Sequence, residues 1–158
     1  MFAVLVAIVA LFPVSAFADD EIPHYATWEE AKPVYFPDST STNMNEVAYA
    51  IDLCMQAGLQ NYEAGNMDVA YKCMQDGYYG YYEVCGFERQ TMSRISGARK
   101  NEIELLYKAC RQSVKKDQGI EVAKANVEEL TTKLYEDALL LSPTTDAFEK
   151  LTGSASGG

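Results

Sequence analysis

The residues with the most chemical content lie between Asp76 and Glu104, in the run DGYYGYYEVCGFERQTMSRISGARKNEIE. Of its carboxylates, Glu83, Glu88 and Glu102 are the candidate cation ligands, because a hard or borderline cation needs several converging oxygens or nitrogens. Glu83 and Glu88 are five residues apart and on an unbroken helix would point about 140° apart. They converge only if Gly86 bends the chain. Glu102 and Glu104 also diverge, so only one of them faces a partner helix. The competing use of Glu83, Glu88 and Glu102 is an interhelical ion-pair network with Arg89, Arg94 or Arg99. Tyr78, Tyr79, Tyr81 and Tyr82 surround Gly80 and cannot all face inward. Either Tyr78 and Tyr81/Tyr82 pack while the others lie half exposed, or the four rings form a docking surface beside the acidic patch.

Other chemistries find no residues to carry them. A di-iron centre of the ferritin type requires Glu-x-x-His pairs, and the single His24 is distant in sequence from these helices. Methionines at helical spacing read as core filler rather than a copper site. There is no Gly-x-Ser-x-Gly, no free-cysteine/histidine pair and no glycine-rich phosphate loop, so no enzyme is expected. None of the cysteines is spaced Cys-x-x-Cys, which leaves zinc, thioredoxin-type and haem attachment sites unsupported. With 13 Lys+Arg against 23 Asp+Glu, the formal charge of -10 argues against nucleic acid and anionic lipid as partners and is compatible with attracting cations.

The elements that must position these residues begin after an export segment. Residues 2–12 are almost uninterruptedly apolar, Pro13 breaks the run, and Ala16-Phe17-Ala18 is a small-x-small cleavage site. Residues 1–18 therefore read as a cleaved signal peptide, although no Lys or Arg follows Met1; an uncleaved anchor is the alternative. The run is short for a membrane span, which needs about 20 residues. Residues 19–41, with Pro23, Pro33 and Pro37, form an irregular lead-in with Trp28 and Tyr35 as anchors. Residues 42–142 form the helical domain. Val47, Ile51, Cys54, Gly58 and Tyr62 give one helix an apolar face, and Gly65-Asn66 ends it and starts the next. A second face runs from Val69 to Tyr81, a third from Ile103 to Val114, and a fourth from Ala123 to Leu141, closed by Ser142-Pro143. The predicted fold is all-α: an up-and-down bundle of about four helices. Residues 143–158 have the composition of a flexible linker, pointing to a further element beyond it.

Four cysteines in an exported chain predict disulfides. Cys54 and Cys73 lie at similar distances from the Gly65 turn and could meet across the hairpin, leaving Cys85 to pair with Cys110. Each bridge would stabilise the domain by about 3 kcal/mol.

The motif series Tyr62-x-x-Gly65-Asn66, Tyr79-Gly80-x-Tyr82-Glu83, Gly86-x-Glu88, Ser96-x-x-Arg99 and Glu102-x-Glu104, with the closing leucine-periodic helix, resembles the extracytoplasmic N-terminal domain of bacterial high-affinity iron permeases. The likeness covers roughly residues 46–141. It implies an exported accessory domain on the outer face of the cytoplasmic membrane. Such a domain would bind or present iron, or dock a partner. The resemblance places iron ligands at Glu83, Glu88 and Glu102. It implies as partners either membrane permease helices, expected in the same polypeptide, or a periplasmic iron-uptake protein. In that family transport is attributed to Arg-Glu-x-x-Glu motifs on membrane helices, which this chain lacks. The alternative from another class is a secreted, disulfide-stabilised helical module that binds protein without metal.

Overall fold

Helix boundaries in this chain are set by a few capping and turn residues, and the computed structural model describes them for residues 24–143. The predicted export segment and all but the first residue of the predicted linker lie outside the described residues. Six α-helices run α1 (Trp28–Tyr35), α2 (Met44–Glu63), α3 (Met67–Asp76), α4 (Phe87–Gln90), α5 (Gly97–Lys115) and α6 (Ile120–Leu141). Two π-helical segments interrupt them: π1 (Gly77–Glu83) continues α3, and π2 (Thr91–Ile95) continues α4. No strand occurs among the described residues.

Local chemistry explains the main punctuation. The Asn43 side chain accepts from the Asn45 N–H at 2.9 Å and opens α2. Ser96 Oγ accepts from the Arg99 N–H at 3.0 Å and opens α5. Gly86, at φ +76°, adopts the left-handed conformation that stops π1 and turns the chain into α4. The expected Asn66 cap is not made; its side chain donates to Asn61 Oδ1 instead.

The long helices close into a ring in which each neighbour is antiparallel, the predicted up-and-down arrangement. The start of α2 meets the end of α6, where Asn43 donates to the Pro143 carbonyl and Ser142 Oγ accepts from the Met44 N–H. Lys124 of α6 pairs with Glu63 at the other end of α2. Tyr107 of α5 donates to the Gly77 carbonyl, and Lys115 sits over Tyr71 of α3. Tyr62 pins the α5–α6 turn by donating to Asp117 and accepting from the Gly119 N–H. Inside the ring lie Ile51, Met55, Met74, Ile103, Leu130 and Leu134, each fully buried. Burial of side chains of this size stabilises the fold by about 1.5–3 kcal/mol apiece.

Two expectations need correction. The lead-in is not irregular throughout, because α1 forms within it. Thr27 Oγ1 accepts from the Glu30 N–H and Glu30 accepts from the Ala26 N–H, a reciprocal cap that starts the helix despite Pro33. Trp28 and Phe36 anchor this N-terminal strap in the core. The bundle is also not disulfide-stapled: Cys54, Cys73, Cys85 and Cys110 are all free thiols. Cys54 and Cys73 do approach across the α2–α3 hairpin, but the Cys54 thiol donates to the Cys73 main-chain carbonyl at 3.2 Å. Cys85 sits beside α1, with Glu29 and Lys32 as its charged neighbours, whereas Cys110 is buried in α5 near Glu129. Burial pushes the thiols of Cys85 and Cys110 up to about 12 and that of Cys73 up to about 11, which suppresses thiolate chemistry.

Candidate functional site

π1 is the element that positions the tyrosines, and the strap explains its central glycine. The chain at Ala26 passes so close to π1 that a Cβ at Gly80 would overlap the Ala26 carbonyl oxygen. Tyr81 donates to the neighbouring Tyr25 carbonyl at 2.8 Å and locks the crossing. Tyr81 and Tyr82 are buried at 1% and 0% exposure, so they form core and not docking surface. Tyr82 packs against Tyr107 and Phe87, with ring centroids 5.3 and 5.4 Å apart. Tyr78 is half-buried, and Tyr79, at 52% exposure, is the only one of the four that lies open. π-helical turns recur at functional sites, and here two of them flank the Gly86 turn.

The acids around this turn are organised by cations rather than gathered for a metal. Among the described residues, no group of three or more His, Cys, Asp or Glu is arranged to hold an ion. Glu83 is exposed at the end of π1. Glu88 pairs with Lys100 at 3.1 Å, and the same ammonium reaches Glu104 at 2.7 Å. Tyr78 donates to that Glu104 oxygen at 3.0 Å. Glu102 turns to the other side, where it pairs with Arg99 at 3.0 Å and Lys133 at 2.8 Å. The expected convergence of Glu83, Glu88 and Glu102 is therefore replaced by a Glu88–Lys100–Glu104 junction. Gly86 does bend the chain, but the bend delivers Glu88 to a lysine of α5. The ion-pair alternative holds for Glu102 with Arg99; Arg94 instead donates to the Leu141 carbonyl.

Arg99 is the centre of the α5–α6 seam. Its Nε donates to Asp137 and its Nη2 to Glu136, both at 2.8 Å, and Nη2 also reaches the Lys133 carbonyl. Asp137 is 1% exposed and its Oδ2 is buried without a hydrogen-bond partner. Burial pushes the Asp137 carboxyl above its ordinary value, against the opposing pull of Arg99. Hydrogen bonds from Lys133 and Arg99 hold Glu102 below the carboxylate range. Burial would raise Glu104, but Lys100 and Tyr78 outweigh it and the group is also held low.

Sequence reasoning missed Lys100, Asp137 and His24. Lys100 was legible as the i,i+4 partner of Glu104. Asp137 occupies the core-facing stripe of α6, between Leu134 and Leu141, where a carboxylate demands a partner. His24 is not remote: its Nε2 lies 3.2 Å from Asp76 Oδ2, which Lys72 also contacts at 2.6 Å. It lies where the strap meets the end of α3.

No described helix is long and apolar enough to cross a membrane. No protein family, no curated protein and no solved structure matches this chain.

Proposed function

We propose that this chain is a non-catalytic, extracytoplasmic accessory module of an iron-uptake permease. It works by docking onto the permease helices or onto a second extracytoplasmic iron-uptake protein. The observation that supports this reading is the contiguity of the motif residues. Tyr78, Glu88, Lys100 and Glu104 join the tyrosine–glycine segment, Gly86-x-Glu88 and Glu102-x-Glu104 into one hydrogen-bonded junction. Ser96 starts the helix that carries Arg99 into the adjoining seam. Tyr62, from the first motif, braces the loop that connects the same two helices.

A resident iron centre does not fit these residues, since Glu88, Glu102 and Glu104 are already neutralised by cations. Iron as passing cargo would meet the module by displacing the Lys100 ammonium from between two carboxylates and the Tyr78 phenol. Such contact is weak by construction, which suits an ion handed onward.

Radio-iron uptake by iron-limited cells tests the reading. Deletion of the gene should lower uptake, and the wild-type chain should restore it. Unchanged uptake would overturn the iron role. Calorimetry separates presentation from docking alone. Ferrous iron should bind Lys100→Met more tightly than wild type, and Glu104→Gln should abolish the heat. Absence of heat from Lys100→Met at millimolar iron would leave docking as the module's whole contribution.

A further inference from the structure

The C-terminal half of α5 carries a second set of cations, beside a groove that borders the junction at Tyr78 and Glu104. Lys108, Arg111 and Lys115 follow one another at helical steps of three and four, so they share a face. None of them forms an ion pair with a described residue, in a chain whose net charge is -10. Arg111 and Lys115 are set against rings instead, and Lys108 is exposed. The Arg111 guanidinium lies 5.4 Å from the Tyr78 centroid and 5.8 Å from that of Tyr79, and the Lys115 ammonium lies 5.9 Å from that of Tyr71. Arg111 Nη1 is shielded from solvent and has no acceptor. Beside these cations a shallow groove of about 430 Å³ opens between π1 and α5, walled by Tyr79 and by Leu105, which is 66% exposed; the one carboxylate in its lining, Glu104, is paired with Lys100.

The helix dipole accounts for a lysine in the last turn of α5, at Lys115. It does not account for Lys108 and Arg111, which lie before that turn. Nor does packing account for an exposed leucine and an exposed tyrosine meeting at a groove that two uncompensated cations border. Stacking on aromatic faces holds a guanidinium in place while leaving its N–H edge free for a carboxylate.

We propose that this groove binds a segment of a partner protein that presents acidic side chains to Lys108 and Arg111 and an apolar side chain to Tyr79 and Leu105. Charge complementarity selects that occupant: the acidic surface elsewhere on the protein repels an acidic segment, and the basic strip beside this groove attracts it. The groove shares Tyr78 and Glu104 with the junction, but the contacts proposed here are made by Lys108, Arg111, Tyr79 and Leu105, so the peptide and iron experiments fail separately.

Fluorescence anisotropy with a labelled synthetic peptide alternating Asp and Glu with Phe and Leu tests it. The peptide should bind, and binding should weaken as salt is raised. Arg111→Met and Lys108→Glu should each weaken it by about tenfold or more, the loss expected for a charge-assisted contact. Both positions are outside the core, and an unchanged melting temperature verifies that the variants are folded. Equal binding of a peptide with Lys in place of the acids would overturn the proposal. So would an Arg111→Met variant that binds as wild type does. Binding seen only after removal of residues 144–158 would assign the groove to the chain's own tail. A concentration-dependent dimer in sedimentation, abolished by Leu105→Asp, would assign it to a second copy. Either result also overturns the proposal.

Discussion

The two halves of α5 carry the same kind of residue to opposite ends. In the N-terminal half, every contact of Arg99 and Lys100 with a carboxylate lies within 3.1 Å, and together the two cations engage five acids. In the C-terminal half, Lys108, Arg111 and Lys115 meet rings and solvent. The first half spends its charge on tertiary structure: it ties α5 to α6 through Asp137 and to the Gly86 turn through Glu88. The second keeps its charge available. Charged residues on one helix thus differ in role according to what the neighbouring elements offer. α6 and α4 offer carboxylates, whereas α3 and π1 offer tyrosines.

The sharpest way to break this comparison is to remove one charge from each half. Arg99→Met strands the buried Asp137 carboxylate, and urea unfolding should show a loss of about 3 kcal/mol. That figure is at the low end for a broken buried pair because Arg99 keeps a solvent edge. Replacing Asp137 by Leu in the same protein should recover much of the loss. Lys108→Ala and Lys115→Ala should each stay within about 0.5 kcal/mol of wild type. Equal costs in both halves would refute the division.

Gly80→Ala probes the element that brings tyrosines to the open half. The added methyl group has no room beneath the Ala26 carbonyl, so the strap must shift, at a cost of about 1–3 kcal/mol. The only tryptophan, Trp28, is buried in that strap and reports its position. Its emission should move to the red in the variant, while the Arg99 seam stays intact. An unshifted emission would mean that π1 holds its rings without the strap.

A smaller effect is expected from acid. Burial lowers the pKa of His24 from the ordinary 6.5, although Asp76 and Glu30 pull it up and Lys72 assists the lowering. A lowered value in the fold means that the unfolded chain takes up the proton first. The contribution of His24 is therefore complete above pH 6.5 and is lost as pH falls through 6.5 toward the lower folded value. Trp28 emission should shift gradually over that window. His24→Gln should remove the shift, and a variant that titrates like wild type would exclude His24 as the cause.

How much of this was legible in the sequence differs by kind of signal. Periodicity in the apolar residues revealed the four long helices, because the faces of α2 and α6 repeat at three and four over many turns. The α1 helix was hidden by three prolines, although Thr27-x-x-Glu30 is a capping signal that outweighs Pro33. The π segments leave no mark in the pattern: Tyr78, Tyr81 and Tyr82 fit an α-helical face equally well, and the close passage of the strap over Gly80 is a long-range contact. The motif residues were identifiable, but their pairing was not. The Lys100–Glu104 pair is local to α5, but whether Glu88 also reaches Lys100 depends on how far Gly86 turns the chain. The cysteine pairing failed for a related reason, since elimination ignores direction and Cys85 points toward α1.

The most direct test of the division along α5 is one peptide titration followed residue by residue in the amide NMR spectrum of isotopically labelled protein. Addition of the acidic–apolar peptide should move the amides of residues 105–115 and 71–79, and leave those of residues 97–102 and 133–137 in place. Shifts concentrated around Arg99 and Asp137, with Lys108 and Arg111 unmoved, would contradict the account.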